Sequence, residues 1–123
     1  CIGEQFEDRK NKKEFDVIKK QIINIFKNVI FNDNDDIIIA YEPVWAIGSG
    51  QAADTETIKK MHNYIKNIIK KMYKNNCNIY LLYGGSVNVT NAKEIASLEN
   101  VNGFLIGSAS LEPNEFYNIS KSL

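Results

Sequence analysis

The sequence has no excess of charge of either sign: lysine plus arginine and aspartate plus glutamate each number 15. A field over the whole molecule that would recruit nucleic acid or anionic lipid is thereby excluded, and any anion site has to be built locally. There is no apolar run near the ~20 residues that a membrane-spanning helix needs, and no basic stretch followed by an apolar one opens the chain. A soluble protein is the expectation. Cysteine is scarce, and Cys1 and Cys77 have neither zinc-ligand spacing nor a disulfide framework around them, which points to free thiols in a reducing compartment. Histidine occurs once. His62 falls within a helical stripe and reads as a helix-surface or packing residue, so no metal site and no cofactor is expected.

What is present is the composition of a packed domain, 44% hydrophobic and 24% charged over 123 residues, which suits one compact unit or part of one. The chain opens on Cys1-Ile2-Gly3-Glu4 rather than Met, which reads as a cut through a structural element with the real start upstream.

Phe15, Ile18, Ile22, Ile25, Phe26 and Val29 recur at helical spacing and predict an amphipathic helix over Phe15–Val29. Turn formers at 32–36 end it, and the β-branched run Ile37–Tyr41 follows as a strand expected to be buried on both faces. After a loop with Pro43, Gly48 and Gly50, Asp54 or Thr55 caps a second helix whose stripe is Ile58, Met61, Ile65, Ile68, Ile69 and Met72, stopped by Asn75-Asn76. A second strand is Ile79–Tyr83, then a short helix capped near Thr90 runs through Ile95 and Leu98. A third strand is Phe104–Ile106, and Leu111–Ile119 closes as a helix with Phe116 and Ile119 inward. Strand and helix alternate throughout, and the strands are continuously apolar. The fold class is α/β with a parallel sheet, and three strands leave two open edges that something must cover.

The unusual residues all fall at the carboxyl ends of these strands: Glu42 after the first, Gly84-Gly85-Ser86 after the second, Gly107-Ser108 after the third. In parallel α/β architectures ligands bind on that rim. A strand-end glycine pair by itself is usually a tight turn, and a lone glutamate there is usually solvated; three on one rim argue for a site. Pro43 holds Glu42 toward extended geometry and so aims a carboxylate that can act as a base. The glycine loops can present bare peptide N–H groups to a phosphate dianion. Pro43-Val44-Trp45-Ala46-Ile47-Gly48-Ser49-Gly50 combines a stiff start, an apolar tip and a glycine-rich finish, the makings of a lid that expels water.

Ala40-Tyr41-Glu42-Pro43-Val44-Trp45-Ala46-Ile47-Gly48-Ser49-Gly50 resembles the signature of the triosephosphate isomerases. Cys1–Glu4, Tyr83–Val87 and Gly103–Leu111 resemble, in order, the end of that family's fifth strand and its seventh and eighth loops, so the likeness spans the chain. It implies the C-terminal half of a (β/α)8 TIM barrel, with residues 1–123 running from the end of strand 5 through helix 8. It implies an intramolecular isomerase that interconverts dihydroxyacetone phosphate and glyceraldehyde 3-phosphate through an enediolate, in glycolysis and gluconeogenesis. On the same likeness Glu42 is the catalytic base, Gly48, Ser86, Gly107 and Ser108 bind the substrate phosphate, and Pro43, Val44, Trp45, Ala46, Ile47 and Gly48 form the lid, with Ile47 and Leu105 clamping over Glu42. Tyr83 and Ser86 would latch the lid near Ala53 and Gly50, and Tyr41 and Glu4 would be alternative partners of the Trp45 indole. The intact protein would be a cytoplasmic homodimer, or a plastid one if a targeting segment lies upstream, with a small phosphorylated triose as partner and neither nucleic acid nor membrane.

Ser108 stands where the family commonly has Gly or Asn, and Gln51-Ala52-Ala53 replaces a frequent Lys-Thr-Ala or Lys-Val-Ala, which bears on lid kinetics rather than chemistry. The family's Asn-x-Lys pair, electrophilic histidine and dimer loop belong to a first half that has no counterpart here, so this chain alone is expected to be inactive. Two other readings remain, a phosphate-binding half-barrel without turnover and a purely structural module. The retained Glu42 and the intact lid weigh against both.

Overall fold

The computed structural model describes residues 1–73 and 77–123; the expected helix stop at Asn75-Asn76 lies outside the described residues. The elements in order are α1 (Phe6–Lys10), α2 (Glu14–Phe26), β1 (Asp36–Tyr41), α3 (Thr55–Met72), β2 (Asn78–Tyr83), α4 (Ala92–Ala96), β3 (Gly103–Phe104) and α5 (Pro113–Ser120), with single 3-10 turns at Val44–Ala46 and Ser108–Leu111. The second long helix follows the periodicity, whereas α2 stops at Phe26, short of the expected Val29, and leaves Phe15, Ile25 and Val29 exposed. Ile18 and Ile22 of α2 and Ile58, Met61, Ile65 and Ile69 of α3 are buried, spaced three and four residues apart so that each set forms one stripe. Asp54 starts α3 by accepting the Thr57 N–H at 2.7 Å, and that bond holds its carboxyl below the usual carboxylate range. Near the cap expected at Thr90, Asn88 Oδ1 accepts from the N–H groups of Thr90 and Asn91 in the turn before α4, whose own N-cap, Asn91, makes no side-chain capping bond.

The sheet is parallel with order β1-β2-β3; Ile37 lies opposite Ile79, Tyr41 opposite Tyr83, and Leu82 opposite Gly103. The N-terminus adds the stub of a further parallel strand on the free edge of β1. Ile2 donates its N–H to Ala40 O at 2.9 Å and accepts from Glu42 N–H at 2.8 Å.

Burial on both faces, expected for the strands, is not what the fold provides. Ile37, Ile39, Tyr41, Leu81 and Tyr83 are buried in a core shared with α2 and α3, whereas Ile38 on the opposite face is 65% exposed and Tyr80 41%. The reason is geometric. Helices roof one side of the sheet, and three strands with a stub do not curl far enough to roof the other. The third strand is shorter than the expected Phe104–Ile106, although Leu105 N–H still reaches Tyr83 O at 3.0 Å before the chain bends into its 3-10 turn. In α5 Ile119 is buried as expected, but Phe116 is 48% exposed, because this short helix meets the core only through its final turn.

Candidate active site

Parallel strands in register deliver their ends to one rim, and the rim here carries the unusual residues. Gly84 N–H donates to Tyr41 O at 2.9 Å, which sets the residue after β2 beside the residue after β1. A Cβ on Gly84 would stand 2.7 Å from Glu42 Cγ and 3.3 Å from Leu105 Cβ, so the glutamate stem occupies the space that the missing side chain leaves. Any larger residue at 84 would displace the carboxylate.

Above this floor opens a cavity of about 630 Å³. Glu42, Ile47, Gly48, Ser86, Leu105, Gly107 and Ser108 all line it, together with Gly50, Asn88 and Glu115 among others. Two charged side chains, Glu42 and Glu115, are among its lining, and both are acidic; no lysine, arginine or histidine is found there among the described residues. An anion in this cavity would depend on peptide N–H groups and on a cation from elsewhere.

The lid residues Pro43, Val44, Trp45 and Ala46 do not line this cavity. They form the anchored base of the loop after β1. Val44–Ala46 makes one 3-10 turn closed by Ala46 N–H on Pro43 O at 2.8 Å, while Gly48 (φ 64°) and Gly50 (φ 76°) take left-handed conformations that let the tip reverse. The Trp45 indole donates to Glu4 Oε1 at 3.0 Å rather than pairing with Tyr41, and the Tyr41 hydroxyl donates to that same oxygen at 3.1 Å. Arg9 completes the cluster by donating to Glu4 Oε1 at 3.0 Å and by lying 5.3 Å over the Trp45 ring. Glu4 is fully buried, and Arg9, Tyr41 and Trp45 together supply the donors to its Oε1. Arg9 was not anticipated from the sequence; its signal is a cation five residues after a glutamate that a turn of helix brings back.

At the lid's far end Tyr83 Oη accepts from Ala53 N–H at 2.8 Å, and burial is the main cause that pushes this phenol up to about 12. The Ser86 hydroxyl donates at 2.6 Å to the Ala46 carbonyl, at the lid's base rather than near Gly50. Ser86 holds φ 48°, a left-handed geometry that is costly for a residue with a side chain and that turns it toward the lid. The last residue of β2 and the loop that follows it thus hold the 43–53 segment at two points.

The triosephosphate isomerase family model matches residues 1–123, the whole chain. The chain belongs to the triosephosphate isomerase family. Among its relatives are triosephosphate isomerases of Thermodesulfovibrio yellowstonii (47% identical over 122 residues, 98% of this chain and 49% of the relative), Alkaliphilus oremlandii (40% over 121 residues, 97% and 49%) and Flavobacterium psychrophilum (40% over 118 residues, 94% and 47%). The chain spans about half the length of the curated relatives it matches. Parallel strands alternating with helices are the fold of half an α/β barrel of this family, and a half-barrel accounts for the bare sheet face. Among the described residues no helix is long and apolar enough to cross a membrane.

Proposed function

We propose that residues 1–123 are the C-terminal half-barrel of a triosephosphate isomerase and supply its base, lid and anion cradle. The observation that carries this is the convergence of Glu42, Ile47, Gly48, Ser86, Leu105, Gly107 and Ser108 on one cavity, with the carboxylate laid over Gly84. In this reading the phosphate of dihydroxyacetone phosphate binds the N–H groups of Gly48, Ser86, Gly107 and Ser108. Glu42 takes a proton from the hydroxymethyl carbon and the electron pair moves onto the carbonyl oxygen to give the enediolate; the hydroxyl proton on the first carbon passes to that oxygen, and Glu42 returns its proton to the adjacent carbon as the new carbonyl forms on the first. A glutamate base working with a neutral histidine under a closed loop is the arrangement for which triosephosphate isomerases are known. Ile47 and Leu105 close over the carboxylate and exclude water.

The cavity has no cation or electrophile of its own among the described residues, and His62 stands on the helix-covered side of the sheet. The histidine and lysine are therefore assigned to the N-terminal half of the full-length polypeptide, and this chain alone is inactive. Loss of a single stabilising donor already costs about a hundredfold to a thousandfold. The family likeness supports a cytoplasmic homodimer for the intact protein.

Glu42→Asp in the full-length polypeptide draws the base back from the substrate carbon and is expected to lower kcat by about a hundredfold or more with little change in KM. Steady-state kinetics at wild-type level in that variant defeat the assignment. Calorimetry with 2-phosphoglycolate checks the cradle, and no binding to the intact barrel counts against it.

A further inference from the structure

His62, the chain's single histidine, is fully buried in α3 and touches none of the cavity. A carbonyl oxygen only accepts, so the 2.8 Å contact between its Nδ1 and Asn100 O places the ring proton on Nδ1. Nε2 is left with a buried lone pair that meets no partner among the described residues. Burial, opposed by the bond to Asn100, lowers the imidazole pKa and keeps the ring neutral. An orphaned acceptor is unfavourable in a core, and a phenylalanine or leucine would fill the space without one. Packing by itself does not account for an imidazole here.

Its neighbours do. The ring meets Tyr41 nearly perpendicularly at 5.9 Å and Tyr83 at 6.4 Å. The hydroxyl of Tyr41 donates to the glutamate that anchors the Trp45 indole, and that of Tyr83 accepts from Ala53, so these two rings serve the two ends of the lid. Through Nδ1 the same imidazole holds Asn100, whose left-handed turn (φ 65°) leads into β3 and which Asn63 and Lys66 of α3 also grip. β3 in turn carries Leu105, Gly107 and Ser108 to the cavity.

We infer that His62 is a positioning residue for the proposed isomerisation, one neutral ring behind the sheet that holds Tyr41, Tyr83 and the entry to β3 in a single register, so that lid and anion cradle meet. The inference rests on the isomerase reading above.

In the full-length polypeptide His62→Phe keeps a ring and loses the Nδ1 donor, and His62→Asn keeps a donor and loses the ring. Each is expected to lower kcat about tenfold and to move KM with it, as for residues that set a lid. Trp45 labelled as 5-fluorotryptophan, its 19F line assigned by loss in Trp45→Phe, is expected to shift in both variants. Wild-type kcat, KM and 19F line with only a lowered Tm overturn the inference, since packing alone would give that. Tyr83→Phe added to His62→Asn is expected to slow turnover no further than the larger single effect; a full product of the two overturns it. Should neither variant fold, the wild type decides: with 15N-histidine labelling, the His62 ring resonances are expected to move on saturation with 2-phosphoglycolate, and unmoved resonances overturn the inference. Absence of wild-type turnover overturns both readings, whereas wild-type turnover with unaltered His62 variants overturns this one alone.

Discussion

The two faces of the sheet differ in kind. On the helix-covered face Ile39, Tyr41, Leu81 and Tyr83 are buried against α2 and α3, and the polar tips of the tyrosines each find a partner. On the other face Ile38 and Tyr80 stand in the open, and the rim above them carries Glu42 and the bare glycine. The packed core and the face that carries Ile38 and Tyr80 are thus separated by the thickness of one sheet. The covered face can be packed to completion because nothing has to enter it, while the open face has to wait for the strands that a whole barrel would bring.

The largest effect that tests this division is in packing. Ile65→Ala on the covered side is expected to cost about 2–5 kcal/mol, read as a lowered urea midpoint. Ile38→Ala is expected to cost less than about 0.5 kcal/mol in the isolated chain but to approach the Ile65 value in the full-length polypeptide, where strands from the other half roof that face. Equal costs in both backgrounds would break the comparison.

A smaller effect comes from pH. An unfolded histidine titrates near 6.5, and burial lowers the pKa of His62 in the folded chain. Below that value the unfolded chain takes up a proton that the folded chain refuses, so stability falls as pH drops from about 6.5 toward the folded pKa, by at most about 1.4 kcal/mol per pH unit. Above pH 7 the group is neutral in both states and contributes no slope. Thermal melts between pH 5 and 8 are expected to show this slope in the wild type and to lose part of it in His62→Asn. The smallest effect is the cap: Asp54→Ala removes the acceptor of the Thr57 N–H and is expected to lower stability by about 1 kcal/mol in a melt at pH 7.

Much of this was legible in the chain itself. The stripes of α2 and α3, the β-branched run around Ile39 and the apolar run around Leu81 point to helix and strand in turn, and their alternation indicates parallel strands, so that residues after strand ends share a rim. What escaped depended on neighbours. Ile38 carries the same signal as Ile39, and only the number of strands available decides that one of them stays bare. The single-turn α1 lacks an apolar stripe and is tied down by Arg9 on Glu4 and by Asp8 accepting the Gln5 N–H, contacts that periodicity does not encode. Phe116 repeats at the spacing of Ile119, but the helix is too short to press both against the core. Glu4 was expected as a partner of the Trp45 indole from the family likeness, but the Arg9 contact to Glu4 and the Ser86 bond to Ala46 join parts of the chain that no local pattern links.

Gly84 lends its vacant volume to the carboxylate next door, so two positions on neighbouring strands share the room of a single side chain. With a shorter side chain at 42 the tightest of these contacts would go, and a Cβ at 84 would meet only Leu105 Cβ, at 3.3 Å. The identity of residue 84 is therefore tied to the size of the side chain that follows β1.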